Sequence, residues 1–186
     1  VRIIAGDWRG RALAALGKGD KGAHLRPTTD RVRESLFSML GGGRFGDPIP
    51  GARVLDLFAG TGALGLEALS RGAGRATFVD DGRVALRLIR ENIARCGAEA
   101  RADVIARDAT RLGANSGAQC SLVFCDPPYG KGLGEKALAA ARAGGWIAPG
   151  ALVVWEESAA VTAPEGLSLL DARRYGDTTI TLLEAV

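Results

Sequence analysis

Three features of the chain predict an α/β fold on a mostly parallel, seven-stranded sheet with an antiparallel C-terminal strand. Short apolar runs alternate with helical stretches, a glycine-rich turn follows the first run, and two strand-like segments close the chain. In such sheets ligands gather at the C-terminal ends of the parallel strands.

Residues 2–13 read as a short β-hairpin turning at Gly6-Asp7. A glycine- and lysine-rich loop leads to Arg26-Pro27-Thr28-Thr29, where Thr28 or Thr29 can cap a helix carrying Val32, Leu36, Met39 and Leu40 at helical spacing. Gly41-Gly42-Gly43 stops that helix, and Asp47-Pro48-Ile49-Pro50-Gly51 marks a boundary. The expected division is therefore a basic hairpin and helix over 1–47 and a larger domain over 51–186. Beyond the boundary, strands are expected at 53–58, 76–79, 103–106, 122–125 and 152–155, with helices at 63–70, 84–95 and 133–143. Segments 168–175 and 178–184 flank Gly176-Asp177 and read as the antiparallel closing pair.

Composition excludes several classes of function. The longest uncharged stretch, 112–125, has 14 residues, against about 20 for a membrane-spanning helix. No basic and apolar leader opens the chain, so a cytoplasmic location is expected. Cys96, Cys120 and Cys125 form no Cys-x-x-Cys pair, which points to buried free thiols and to no metal site. His24 is the sole histidine, and no Gly-x-Ser-x-Gly elbow accompanies it, which argues against a serine hydrolase. Charge is unevenly placed: residues 1–33 hold eight basic and three acidic residues, whereas the remainder is slightly acidic. That asymmetry suits contact with a polyanion.

The run from Asp56 to Gly65 follows a strand and opens a helix, with Phe58, Gly60, Thr61 and Gly62 forming its loop. Glycines permit a tight turn and a close approach of backbone amides to a ligand. The spacing of Gly60, Gly62 and Gly65 also fits a dinucleotide site, which keeps a nicotinamide-dependent oxidoreductase in view. Asp56 argues against it, because a carboxylate at the strand end repels a pyrophosphate. It welcomes the cationic amino-acid end of S-adenosylmethionine. Asp80, or Asp81 beside it, is placed for a ribose diol, and Asp108-Ala109 for the adenine amine.

Asp126-Pro127-Pro128-Tyr129 directly follows an apolar strand. The prolines fix φ and leave carbonyls as rigid acceptors. A carboxylate beside a held carbonyl makes a two-acceptor cradle for an amino group, and Tyr129 offers a face for a planar base. An exocyclic nucleobase amine is a poor nucleophile because its lone pair is delocalised. Hydrogen bonds from both N–H groups to Asp126 and the Pro127 carbonyl would orient the nitrogen, and acceptors would stabilise the charge it gains. The cradle alone fits guanine N2, adenine N6 in DNA or a glutamine amide.

Arg2-Ile3-Ile4-Ala5-Gly6 with Trp8-Arg9-Gly10-Arg11, the block Arg26-Pro27-Thr28-Thr29-Asp30-Arg31-Val32-Arg33-Glu34-Ser35-Leu36-Phe37, residues 56–74 and Asp126-Pro127-Pro128-Tyr129 together resemble the RsmD family. The resemblance runs over essentially the whole chain. It implies a Rossmann-like class I S-adenosylmethionine-dependent methyltransferase that modifies N2 of guanine 966 in bacterial 16S rRNA, within assembled or partly assembled 30S particles; a monomer is expected. Matched by position, it gives Asp56, Gly60 and Gly62 to the cofactor, Asp80 to its ribose, Asp108 to its adenine, and Asp126, Pro127, Pro128 and Tyr129 to the target amine. The basic residues Arg9, Arg11, Arg26, Arg31 and Lys131 are the expected RNA contacts.

Overall fold

A computed structural model describes residues 1–17 and 28–186. Helix α1 (Asp30–Leu40) precedes the alternating core: β1 (Arg53–Leu57), α2 (Ala63–Ser70), β2 (Arg75–Asp80), α3 (Arg83–Cys96), β3 (Ala102–Ala106), β4 (Cys120–Cys125), α4 (Leu133–Ala143), β5 (Ile147–Glu157), β6 (Leu167–Tyr175) and β7 (Thr178–Ala185). The seven strands form one sheet in the order β3-β2-β1-β4-β5-β7-β6. Strands β3 to β5 in that order pair in parallel, and β7 alone runs against its neighbours. This is the expected fold class. The strand order reverses between β1 and β4, so the crevice at a topological switch point opens where Leu57 and Cys125 end side by side.

Central strands β1 and β4 are buried along almost their whole lengths, and their register is fixed by apolar contact on both faces. One face carries Val54, Phe78, Leu122, Phe124 and Val154; the other carries Leu55, Leu57, Val79, Val123 and Trp155. The amphipathic helix α3 lays Ala85, Leu88, Ile89, Ile93 and Cys96 on the sheet and ends at Gly97, whose φ of 62° is the left-handed cap only glycine adopts cheaply. Strand β5 extends to Ile147, well beyond the 152–155 expected, through Pro149-Gly150 and a register shift opposite Cys120 and Leu122. Proline and glycine interrupt the apolar run there without breaking the pairing. Three-residue turns at Glu99–Arg101 and Ala109–Arg111 have no periodicity that could announce them. Cys96, Cys120 and Cys125 are free and buried. Burial pushes each thiol up, that of Cys120 to about 11, so none is a ready nucleophile.

The expected N-terminal hairpin is present in short form: around an antiparallel bridge between Arg2 and Ala12, Ile3 N donates to the Arg11 carbonyl at 2.9 Å, Gly10 N to the Ile3 carbonyl at 2.8 Å and Leu13 N to the Val1 carbonyl at 2.9 Å. Backbone donors within residues 4–8 turn to α2. Ile4 and Ala5 donate to the Glu67 carboxylate at 2.9 and 3.1 Å, Asp7 to the Ser70 carbonyl at 2.8 Å and Trp8 to Ser70 Oγ at 3.0 Å. The hairpin therefore pairs with itself and is docked on α2 as well. Gly6 sits so close that a Cβ there would lie 1.9 Å from the Ser70 carbonyl oxygen. Ile3 and Leu13, with Leu36, Phe37 and Leu40 of α1, enter the same apolar cluster as the sheet.

Candidate active site

The crevice is built from the ends of β1, β2, β4 and β5. Asp56 is buried at the end of β1, and its Oδ2 accepts from Gly65 N at 3.0 Å, which fixes the start of α2. Between them Phe58 takes φ 56°, while Gly60 and Gly62 take 61° and 82°. A left-handed phenylalanine is uncommon and costs energy, so the turn is held by its surroundings. Ala59 N donates to the Val79 carbonyl at 3.0 Å and Gly60 N to Asp80 Oδ2 at 2.9 Å. Gly65 must lack a side chain, because a Cβ would lie 2.4 Å from the Phe78 ring.

Burial pushes the Asp56 carboxyl well above its ordinary value; the Gly65 amide pulls it back, and the charges of Asp126 and Asp80 push it further. Burial likewise raises Asp80, opposed by the Gly82 and Gly60 amides. Three carboxylates thus feel or face one another at neighbouring strand ends. Such a cluster favours a cation, whose arrival would lower these values. The loop and the carboxylates together fit a ligand with a cationic amino-acid end and hydroxyl donors.

Sequence reading offered Asp80 or Asp81 at this point. Asp80 has both oxygens on backbone amides, Oδ2 on Gly60 and Oδ1 on Gly82 at 2.9 Å each, whereas Asp81 is exposed. Asp108 lies after β3 as the cap of a short turn, where Oδ1 accepts from Thr110 N and Oγ1. The Thr110 hydroxyl, then its amide, holds the Asp108 carboxyl below its ordinary value. Ala109 beside it is buried.

Asp126 stands at the end of β4, half-buried, with its amide directed to the Leu57 carbonyl at 3.4 Å. Pro127 is buried and Pro128 exposed. The Tyr129 hydroxyl lies 3.0 Å from Thr178 Oγ1, and Gly130 N donates to Glu157 Oε1 at 3.0 Å, so the segment after the prolines is tied to β7 and β5. Thr28 Oγ1 reaches Asp126 Oδ2 at 3.3 Å and Glu156 Oε2 at 3.1 Å. Thr29, not Thr28, is the helix cap, accepting from Val32 N at 3.2 Å.

Three candidates escaped the sequence reading. In the sequence Thr28 reads only as a helix cap. Glu156 is buried at the end of β5, and the rule that singled out Asp56 and Asp126, an acidic residue ending an apolar strand, finds it too. Asn92 is buried on α3 and joins the glycine loop to the N-terminal segment: Nδ2 donates to the Thr61 carbonyl at 2.8 Å and the Ala14 carbonyl at 3.0 Å, and Oδ1 accepts from Ala14 N at 2.6 Å. No short-range pattern marks it.

The expected RNA contacts do not converge on the crevice. Arg9 and Arg11 are exposed on the N-terminal segment, with Arg11 Nη1 donating to the Arg95 carbonyl at 3.3 Å near the C-terminal end of α3. Arg31 and Lys131 are exposed near the crevice elements, on α1 and after Tyr129. Arg26 lies outside the described residues.

The family model described as Conserved hypothetical protein 95 matches residues 1–184. The chain is 41% identical over 172 residues to Ribosomal RNA small subunit methyltransferase D of Escherichia coli (strain K12), covering 91% of this chain and 82% of that one. It is 36% identical over 182 residues to the protein of the same name from Haemophilus influenzae, covering 95% and 89%. The solved structure of yhhF from Escherichia coli superposes with a TM-score of 0.83 at 39% identity, covering 100% of this chain and 97% of that one. The fold is that of the class I methyltransferases.

Proposed function

Because the chain belongs to the Conserved hypothetical protein 95 family, that of RsmD, we propose that it transfers a methyl group from S-adenosylmethionine to N2 of guanine 966 in 16S ribosomal RNA of the small subunit. One observation carries this reading: the Asp126-Pro127-Pro128-Tyr129 corner ends β4 immediately beside the β1 end that bears Asp56 and the glycine loop. An amine acceptor and a cation-seeking crevice therefore share one rim.

The cofactor, when bound, supplies a methyl on a positively charged sulfur. Asp56 and the loop over Phe58, Gly60, Thr61 and Gly62 would hold its amino-acid end, Asp80 the ribose, and Asp108 with Ala109 the adenine. Asp126 and the Pro127 carbonyl accept the two N–H groups of the target amine and direct its lone pair inward. Tyr129, anchored through its hydroxyl to Thr178, offers its ring to the base. Orientation of this kind supplies much of an acceleration, with effective molarities of about 10⁵–10⁸ M for well-placed pairs. As the nitrogen gains positive charge, the Asp126 carboxylate stabilises it and is in place to take the proton, with water as the final acceptor.

Segment 1–47 acts as an RNA contact through Arg9 and Arg11 and as a lid. The lid reading is supported by Thr28, which reaches Asp126 and Glu156 from just before α1. The protein works as a cytoplasmic monomer on 30S particles, with Arg26, Arg31 and Lys131 on the RNA side.

The test is transfer of labelled methyl from S-adenosylmethionine to 30S particles lacking this modification, followed by digestion to nucleosides. N2-methylguanosine at position 966 is the expected product. No transfer, or label in N6-methyladenine or a glutamine side chain, overturns the reading. Thermal stabilisation by NADH but not by S-adenosylhomocysteine would overturn it more deeply.

Cofactor affinity is expected to depend on pH. The raised Asp56 carboxyl keeps a proton above the ordinary value of 3.8, and a cationic ligand binds best once that proton has gone. Affinity should therefore rise with pH through the window above 3.8, with proton uptake by the buffer in calorimetry. The sign for folding is opposite: stability from the protonated group is present at low pH and is lost as pH rises through the folded-state value. Affinity flat across that window would refute the assignment of Asp56.

A further inference from the structure

Strand β5 ends in two acids that face opposite ways. Phe124 lies beside Val154 and Cys125 beside Trp155, the first pair in one apolar layer and the second in the other. Side chains alternate along a strand, so the next step brings Asp126 and Glu156 level with each other on the face where Phe37 of α1 meets Phe124. Glu157 turns to the other face, and its Oε1 accepts from the Gly130 and Ser158 amides at 3.0 and 3.3 Å.

Thr28 closes the pair. Its hydroxyl lies 3.1 Å from Glu156 Oε2, 3.4 Å from Glu156 Oε1 and 3.3 Å from Asp126 Oδ2. One point on this rim is therefore within hydrogen-bond distance of both carboxylates, and a donor occupies it. A hydroxyl has one proton and serves one acceptor at a time. Glu156 is 2% exposed. A carboxylate at that depth accepts donors beside it and rejects lone pairs.

The amine cradle by itself does not separate guanine N2, adenine N6 and a glutamine amide. The atom next to the amine-bearing carbon does. In guanine the ring nitrogen N1 carries a hydrogen. In adenine the N1 beside the amine carries a lone pair, and in an amide the neighbour is a carbonyl oxygen. Guanine thus presents three N–H groups in a row, and this rim presents a row of acceptors in the Pro127 carbonyl, Asp126 and Glu156.

We propose that Glu156 is a specificity-determining residue that accepts N1–H of the target guanine while Asp126 and the Pro127 carbonyl accept its N2 amine, the Thr28 hydroxyl holding that place until the base arrives. The proposal rests on the reading of the protein as a guanine-N2 methyltransferase and deepens it by naming what turns other amines away. Adenine or an amide loses one hydrogen bond and also brings a lone pair against a buried carboxylate.

The test uses the full chain and 30S particles reconstituted with guanine, 2-aminopurine or adenine at position 966. 2-Aminopurine keeps the 2-amino group and lacks N1–H, so it isolates the hydrogen bond at issue. Wild-type kcat/KM should fall by more than about 10-fold from guanine to 2-aminopurine, as for loss of a hydrogen bond to a charged group, and adenine should give no product. E156Q keeps the size of the side chain and can turn its amide N–H toward an unprotonated N1. It should slow transfer to guanine and cut the guanine to 2-aminopurine ratio by about 10-fold, with affinity for S-adenosylhomocysteine unchanged. E156D draws the acceptor back by one methylene, should also narrow the ratio, and carries the test if E156Q does not fold. A residue needed only for packing would lower both rates alike. An unchanged ratio in the folded variant therefore overturns the proposal, as does a wild-type ratio below about 10-fold. Wild-type protein that methylates none of the particles overturns the underlying reading instead, and the role of Glu156 with it.

Discussion

Asp126→Ala is expected to slow methyl transfer by about 10³-fold while leaving S-adenosylhomocysteine binding within a few-fold of the wild type. In the proposed mechanism the carboxylate is the charged half of the amine cradle, and removing one preorganised electrostatic partner costs about 10²–10³ in rate. The alanine variant also gives up the orientation that a second acceptor imposes, so the loss should reach the upper part of that range. Asp126→Asn keeps one acceptor oxygen in place of two and should retain measurable activity. Single-turnover rates at saturating cofactor isolate the chemical step, and calorimetry with S-adenosylhomocysteine reports the pocket. The half-buried position of Asp126 makes a folding collapse unnecessary. Transfer within tenfold of the wild type would remove Asp126 from the reaction. Joint loss of activity, cofactor binding and thermal stability would give it a folding role.

Glu67→Ala should produce the largest loss of stability of any single substitution in the N-terminal half. Glu67 is fully buried and serves four donors: Ile4 N and Arg33 Nε on Oε1, Ala5 N and Arg71 Nε on Oε2. Arg33 is equally buried and also reaches Asp30 at 3.0 Å and the Arg2 carbonyl. Arg71 in turn lies over the Phe37 ring, 4.9 Å from its centroid. Removing the carboxylate takes one partner from the buried Arg33 guanidinium and strands two backbone amides at once. Breaking one side of a buried pair costs about 3–5 kcal/mol. For a chain of this length that lowers Tm by about 10 °C. Because Glu67 pins the segment bearing Arg9 and Arg11 to α2, the variant should also raise KM for the particle more than it lowers kcat below its melting range. A melting curve superposable on the wild type would show that the pair contributes no net stability.

These two residues differ in how visible they are. Asp126 announces itself, because an acidic residue, two prolines and an aromatic directly after an apolar strand form a local pattern with a local consequence. Asp56 and the glycine loop are visible for the same reason. Glu67 sits in the middle of an apolar helix, where a carboxylate looks like a solvated turn. Only packing shows that its donors come from residues 4, 5, 33 and 71.

Periodicity in the sequence determined the alternating elements, their sheet and the strand ends that bear chemistry, since backbone geometry repeats every two or 3.6 residues and burial follows it. The sequence also displayed the Asp126-Pro127-Pro128-Tyr129 motif proposed to hold an amine. Tertiary structure alone decided that the N-terminal hairpin docks along α2 through Glu67 and Ser70, and that Thr28 turns to Asp126 and Glu156. Those outcomes depend on donors and acceptors many tens of residues apart, and no period along the chain encodes which of them meet.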